Sequence, residues 1–297
     1  MPVTKFFKKK SKNKATETVI RLREKRSENV KIIKEHFNSI CQMLNVIESR
    51  SNNSVMNRQN ASHSNDKGFT GTSSYDEAKT LFETGYTDIL DKIKTGVAEN
   101  LKQTVSENRR HVRTAVVGYA PHVPNAILGL PNSMIFTETK PQKIKAVSIV
   151  AGITENCGTG AKEFSKSGIA VLGVVNTLEL QGYRVNLKVA FYCAKVWSGE
   201  YTFGTVSVKD YREHLDLQKL CFPLAHPSMF RRFGFKWLET VPGLTSSEWA
   251  GGYGSQFNDM NFIKKNFLEE NEFFIGLSLT KKCNYDPNKI IETMNLK

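Results

Sequence analysis

Apolar residues near the start of the chain recur at steps dominated by three, four and seven: Val19, Leu22, Val30, Ile33, Phe37, Ile40, Leu44 and Ile47. That is the period of one helix face, so residues 15–49 are expected to form an amphipathic helix with a basic opposite side. The pattern stops at "RSNNSVMNRQNASHSNDKGFTG", residues 50–71, where Ser, Asn and Gly dominate. Such composition predicts a linker or long loop, and the main domain boundary is expected there. Beyond it, "TSSYDEAKTLFETGY" places hydroxyl residues ahead of an Asp-Glu pair and a glycine, Gly85, at its end, the start and stop signals of a helix. A second helix is expected over 88–105. "RRHVRTAVVGYAPHVPNAILGLPNSMIFTE" holds three prolines and should be mostly irregular, with a short strand at "TAVVGY" and helical turns near "VPNAIL".

From residue 144 the pattern changes. "KIKAVSIVAGI" reads as a buried strand, "TGAKEFSKSGIAVLGVVNTLELQG" as a helix ending at Gly182, and "YRVNLKVAFYCA" and "YTFGTVSV" as further strands. A helix around "SMFRRFGFKWLET", a late strand in "EFFIGLSLT" and a terminal helix "DPNKIIETMNLK" follow. A strand, a crossover helix and a strand make the unit of a parallel sheet. The expected fold class is therefore α/β, three-layer and mostly parallel, Rossmann-like, over residues 144–297. A basic tail and helix (1–49), the linker (50–71) and a helical and irregular segment packed on the main domain (72–143) are expected ahead of it.

Charge adds a functional expectation. The chain has a formal net charge of +13, and residues 1–35 hold twelve Lys/Arg against four Glu, which is +8 of it. Lys5, Lys8, Lys9, Lys10, Lys12 and Lys14, followed by Arg21, Arg23, Lys25 and Arg26, suit phosphate neutralisation with counterion release and no sequence code. Two further clusters are candidates for the same contact: Arg109, Arg110 and Arg113 in "ENRRHVR", and Arg231 and Arg232 in "MFRRFGFKWLE". The latter string resembles part of an RNA-recognition RNP1 motif, although Arg232 stands where that motif has glycine. Nucleic acid, DNA or RNA, is the expected partner. The alternative is a protein partner or a second copy, docked through the helix at 15–49.

Other classes find less support. No run of about 18 apolar residues suggests a membrane span, and Phe6 and Phe7 are the only apolar anchors near the basic tail. That tail has no apolar run behind it, unlike a secretory leader. Five cysteines at 41, 157, 193, 221 and 283, never as CxxC, suit reduced thiols in a cytosol.

"NTLELQGYRVNLKVAFYC", after a strand, loop and long helix, resembles the core of von Willebrand factor A-type domains, and "GYAPHVPNAILGLPNSM" resembles uncharacterised bacteriophage-encoded proteins. The first resemblance implies an α/β domain with a divalent metal held by an Asp-x-Ser-x-Ser loop after the first strand. Here Ala151, Ile153 and Glu155 occupy those positions, so no metal is expected. The second implies the cytoplasm of a bacterial host cell as the expected location.

The loop "AGITENCGTGAKEF" also departs from a Walker A string, having no Lys next to Gly158 or Gly160, and from a dinucleotide fingerprint, having Glu163 in place of a third glycine. Cys157, with His122, His214 or His226 as its base, is a candidate nucleophile, but nothing in the sequence brings them together. No catalytic residue, cofactor or metal ligand is assigned.

Overall fold

The computed structural model describes residues 16–22, 29–90, 111–138 and 145–296. Strands β1 (Thr16–Leu22) and β2 (Asn29–Phe37) are followed by α1 (Ile40–Ser49), α2 (Lys67–Thr70) and α3 (Tyr75–Thr84). A small unit comes next: β3 (His111–Ala115), β4 (Ala120–Pro121), α4 (Val123–Ile127) and β5 (Met134–Glu138). The rest comprises β6 (Lys145–Gly152), α5 (Ala161–Leu180), β7 (Tyr183–Lys195), β8 (Glu200–Lys209) and α6 (Leu217–Ala225). A π-helical stretch, Met229–Gly234, runs into α7 (Phe235–Thr240), and α8 (Met260–Asn266), β9 (Glu272–Ile275), α9 (Leu277–Lys282) and α10 (Pro287–Met294) complete the chain.

The main sheet has the order β1-β2-β8-β7-β6-β9. From β2 to β9, β2/β8, β6/β7 and β6/β9 are parallel, and β7/β8 is an antiparallel hairpin. The fold is mixed α/β with a mostly parallel five-strand sheet, to which β1 adds an antiparallel edge. A separate sheet has the order β3-β5-β4.

The single helix expected over 15–49 is not what forms. Residues 16–22 and 29–37 are strands, and only from Ile40 does the chain turn helical. The ambiguity is arithmetic: a spacing of four keeps Ile33 and Phe37 on one face of a helix, but it also keeps them on one face of a strand. Val30, Ile32 and Ile33 supply the β-branched run that suits a pleated surface, and β2 lies within the sheet, between β1 and β8. Ile32 packs into one hydrophobic cluster and Ile33 and Phe37 into the other, so the strand is buried on both faces. Ser39 then caps α1 by accepting from Gln42 N at 3.1 Å, and Ile40, Met43, Leu44 and Ile47 turn inward.

Residues 50–71 are likewise no linker. Met56, Ser62 and Thr70 are fully buried, and Asn53 Nδ2 donates to Leu238 O at 3.0 Å. The Ser, Asn and Thr residues that make the stretch look solvated instead bond to side chains and carbonyls of the folded core.

One face of the sheet is covered by α1, α5, α6, the 229–240 helix and α10, which share a single large core. Two glycines let α5 sit close: a Cβ on Gly168 would come within 2.5 Å of Leu224 O, and one on Gly173 within 2.5 Å of Pro287. The opposite face is covered at one end by α8 and an aromatic cluster of Tyr192, Phe203, Phe257, Phe262, Phe267 and Phe274. Its third layer is thus shorter than a sheet with helices along both faces would have.

Within the 72–143 segment, α3 packs on the core through Tyr75 and Ala78, while among the described side chains none of 113–136 belongs to either hydrophobic cluster.

Candidate functional site

The strand-to-helix loop after β6 is closed by its own neighbours. Thr154 Oγ1 accepts from Tyr192 N at 2.7 Å, and Ile153 N donates to Ala190 O at 3.0 Å. Arg231 Nη2 donates to the carbonyls of Asn156 (3.3 Å) and Thr159 (2.7 Å), while Nη1 donates to Phe69 O at 2.8 Å. A loop whose carbonyls point at an internal guanidinium does not form a phosphate cradle lined by N–H groups. Glu155 is 8% exposed and accepts from Thr159 Oγ1 at 3.3 Å. Burial pushes its carboxyl up to about 7, with Thr159, Lys281 and Arg231 pulling the other way. Glu163 pairs with Lys281 at 2.9 Å. Among the described residues no group of three or more His, Cys, Asp or Glu side chains is placed to hold a metal.

Cys157 is exposed. His226 is buried, stacked on Phe222 with ring centroids 5.2 Å apart, and Nδ1 accepts from Ser228 N at 3.2 Å. Burial pushes it down to about 4, so it is a neutral packing residue at ordinary pH. His122 sits at the N-cap of α4 in the separate small unit. The loop therefore offers one buried acid and no assembled catalytic set.

The arginine pair expected to touch phosphate faces inward. Arg231 is 2% exposed and lies over the Phe69 ring at 4.2 Å. Arg232 is wholly buried, and its Nε and both terminal nitrogens are spent on Thr72 Oγ1, Ser62 O, Ser64 O, Thr70 Oγ1 and Thr72 O. Arg231 and Arg232, expected at phosphates, instead clamp residues 62–72 and 156–159 on the core. Arg113 is exposed on β3. Arg21 is placed opposite Val30 in the β1/β2 ladder. Lys5, Lys8, Lys9, Lys10, Lys12, Lys14, Arg23, Lys25, Arg26, Arg109 and Arg110 lie outside the described residues.

On the open end of the sheet's thinner side a cavity of about 370 Å³ is lined by Lys34, His36, Lys188, Thr205, Glu269 and Glu272, among others. Its polar groups largely answer one another: Lys188 pairs with Glu272 at 2.6 Å, and His36 Nδ1 lies 2.9 Å from Thr205 Oγ1. Burial, then Lys188, holds His36 below its ordinary value. This is a solvated sheet face with internal pairing.

The small unit at 111–138 is different in kind. Its backbone is knit together by Tyr119 N to Ile135 O (3.0 Å), His122 N to Ser133 O (2.7 Å) and Asn125 Nδ2 to Asn132 O (2.9 Å). Gly118 is required for that closeness, because a Cβ there would stand 2.1 Å from Ile135 O. Yet its large side chains face outward. Val116, Val117, Tyr119, Val123, Ile127, Leu128, Leu130 and Phe136 are between 46% and 80% exposed. From Thr114 to Thr137 there is no Asp, Glu, Lys or Arg. Apolar residues scattered singly on a surface are ordinary; eight within one short unit are not.

A family model described as "Domain of unknown function (DUF7192)" matches residues 12–294. The chain belongs to this family. No curated protein and no solved structure matches it. The DUF7192 match spans β1 through α10, so the small apolar unit lies within the family's extent.

Sequence reasoning missed the apolar unit because its prolines and short elements read as irregular structure. The available signal was the 24-residue interval without a charged side chain in a chain where 24% of residues are charged. A second missed feature is Trp197, 96% exposed at the turn between β7 and β8. Among the described residues no helix is long and apolar enough to cross a membrane.

Proposed function

We propose that this DUF7192 chain is a non-enzymatic protein-interaction module, a von Willebrand A-like α/β scaffold without the metal, whose docking surface is the uncharged apolar unit at 114–137. The observation that carries this reading is the outward display of eight large apolar side chains on a unit that contributes nothing to either core. The scaffold reading draws support from β6, its loop, the 20-residue α5 and the parallel strand β7, with Ala151, Ile153 and Glu155 at the metal positions of the resemblance. The test is capture at high salt. The full chain should retain a protein partner at about 0.5 M NaCl, where electrostatic contacts are screened within about 4 Å. The double substitution Val117→Glu/Ile127→Glu should abolish retention while leaving the melting temperature unchanged. Retention unaffected by the double substitution sinks the proposal.

A second reading, nucleic-acid binding by the basic arm, is favoured by one observation: +8 of the +13 falls within residues 1–35. The arm must be trimmed with care, since residues 29–35 belong to β2 inside the sheet. Deleting residues 1–14 removes six lysines and leaves β1 intact. Affinity for a DNA or RNA oligonucleotide should then fall, and the slope of log K against log salt should shrink by up to about 5. An unchanged slope excludes the arm.

A further inference from the structure

The interaction reading leaves the occupant of the apolar unit open, and two observations bear on who it is. The first is area. At 46–80% exposure the eight residues, backbone and the Tyr119 hydroxyl included, present on the order of 900 Å² in total. A standard interface takes ~800 Å² from each partner. One copy of the unit therefore offers about as much surface as one side of a stable complex requires.

The second is charge. Two copies of a chain with net charge +13 repel one another, and the repulsion is strongest where lysines and arginines face each other. An acidic partner would be steered toward basic surface, where attraction assists the encounter. The interval 114–137 has neither sign of charge, so it neither attracts an acidic protein nor opposes a like-charged one. Charge enters at its edge, where exposed Arg113 stands opposite Phe136 in the β3/β5 ladder. Across the rest of the face two identical basic molecules can meet with apolar area as the driving term.

We infer that the apolar unit at 114–137 docks on the same unit of a second copy, making the chain a symmetric dimer through an isologous contact. This rests on the interaction reading and names its partner. Val117, Tyr119, Ile127 and Leu128, each more than 70% exposed, are its principal anchors. Because the contact is apolar, salt should strengthen rather than weaken it, the opposite of an arm-mediated association through nucleic acid.

The test is light scattering coupled to size exclusion on the nuclease-treated full chain at about 100 μM and about 0.5 M NaCl. The expected result is twice the monomer mass, with Val117→Glu/Ile127→Glu reduced to a monomer of unchanged circular dichroism. Hydrogen exchange on the unmodified chain needs no variant: amides of 114–137 should gain protection as concentration rises. A dimer whose concentration-dependent protection lies elsewhere overturns the inference. So does a monomer at that concentration. If that monomer retains a different protein at high salt, and the double variant does not, the interaction reading stands and only the self-docking falls. If it retains nothing, both fall.

Discussion

Replacing Arg232 by methionine is expected to lower stability by about 3–5 kcal/mol, the largest effect of any single change considered. The side chain is wholly buried and donates five hydrogen bonds: to Thr72 Oγ1 (2.5 Å), Ser62 O (3.0 Å), Ser64 O (3.1 Å), Thr70 Oγ1 (2.9 Å) and Thr72 O (2.6 Å). Methionine fills part of the volume but leaves several buried acceptors without a donor, each a desolvation cost of about 1–3 kcal/mol unless water enters. Arg232→Lys should recover only part of the loss, because an ammonium presents three donors at one point where the guanidinium reaches acceptors spread along residues 62–72. Urea denaturation measures both. A loss below about 1 kcal/mol for Arg232→Met would mean that residues 62–72 are not held by this clamp.

The second large effect depends on pH. Burial raises the Glu155 carboxyl from 4.5 to about 7 in the folded chain. Below about 4.5 the group is neutral in both folded and unfolded states, and the stability associated with its raised value is fully present. As pH rises from there through about 7, the unfolded chain releases its proton while the folded chain keeps it, so stability is lost. Glu155→Gln, which cannot ionise, should therefore exceed the parent by about 2–3 kcal/mol at pH 8 and match it near pH 4. His226, pushed down from 6.5 to about 4 by burial, works in the opposite direction. Its contribution is present above 6.5 and lost as pH falls toward 4, so the two slopes oppose each other between about 4.5 and 6.5. Comparing variant with parent removes the His226 contribution. Equal stabilities at pH 8 would show that Glu155 ionises freely in the fold.

The loop holding Glu155 also shows how a site can look functional in sequence and prove structural in space. Glycines, a strand before and a helix after suggest an anion cradle. What closes the loop is Arg231, 72 positions away from Thr159, whose guanidinium takes the carbonyls of Asn156 and Thr159. Read along the chain, Arg231 and Arg232 are a basic pair amid aromatics. Read in space, they are donors for backbone that folds over them, and the surrounding phenylalanines are core.

The chain's local patterns determined a good deal. The apolar run at 145–152, the long helix after it with Gly182 at its end (φ +87), and the strands at 183–195 and 200–209 follow from period, length and turn residues. So do the helix α3 and the helical turn at "VPNAI". These are properties of residues within a few positions of one another.

Tertiary structure decided the rest. It made a sheet strand of residues 29–37, because a four-residue spacing fits helix and strand alike and only the ladder with β8, some 170 residues away, selects between them. It turned the Ser/Asn-rich interval 50–71 into packed structure, because Arg232 and Glu239 supply the partners that water would otherwise supply. It also left Val116, Val117, Tyr119, Val123, Ile127, Leu128, Leu130 and Phe136 facing outward although their composition alone suits a core. Hydrophobic period reports which residues share a face; what that face meets is set by residues far along the chain.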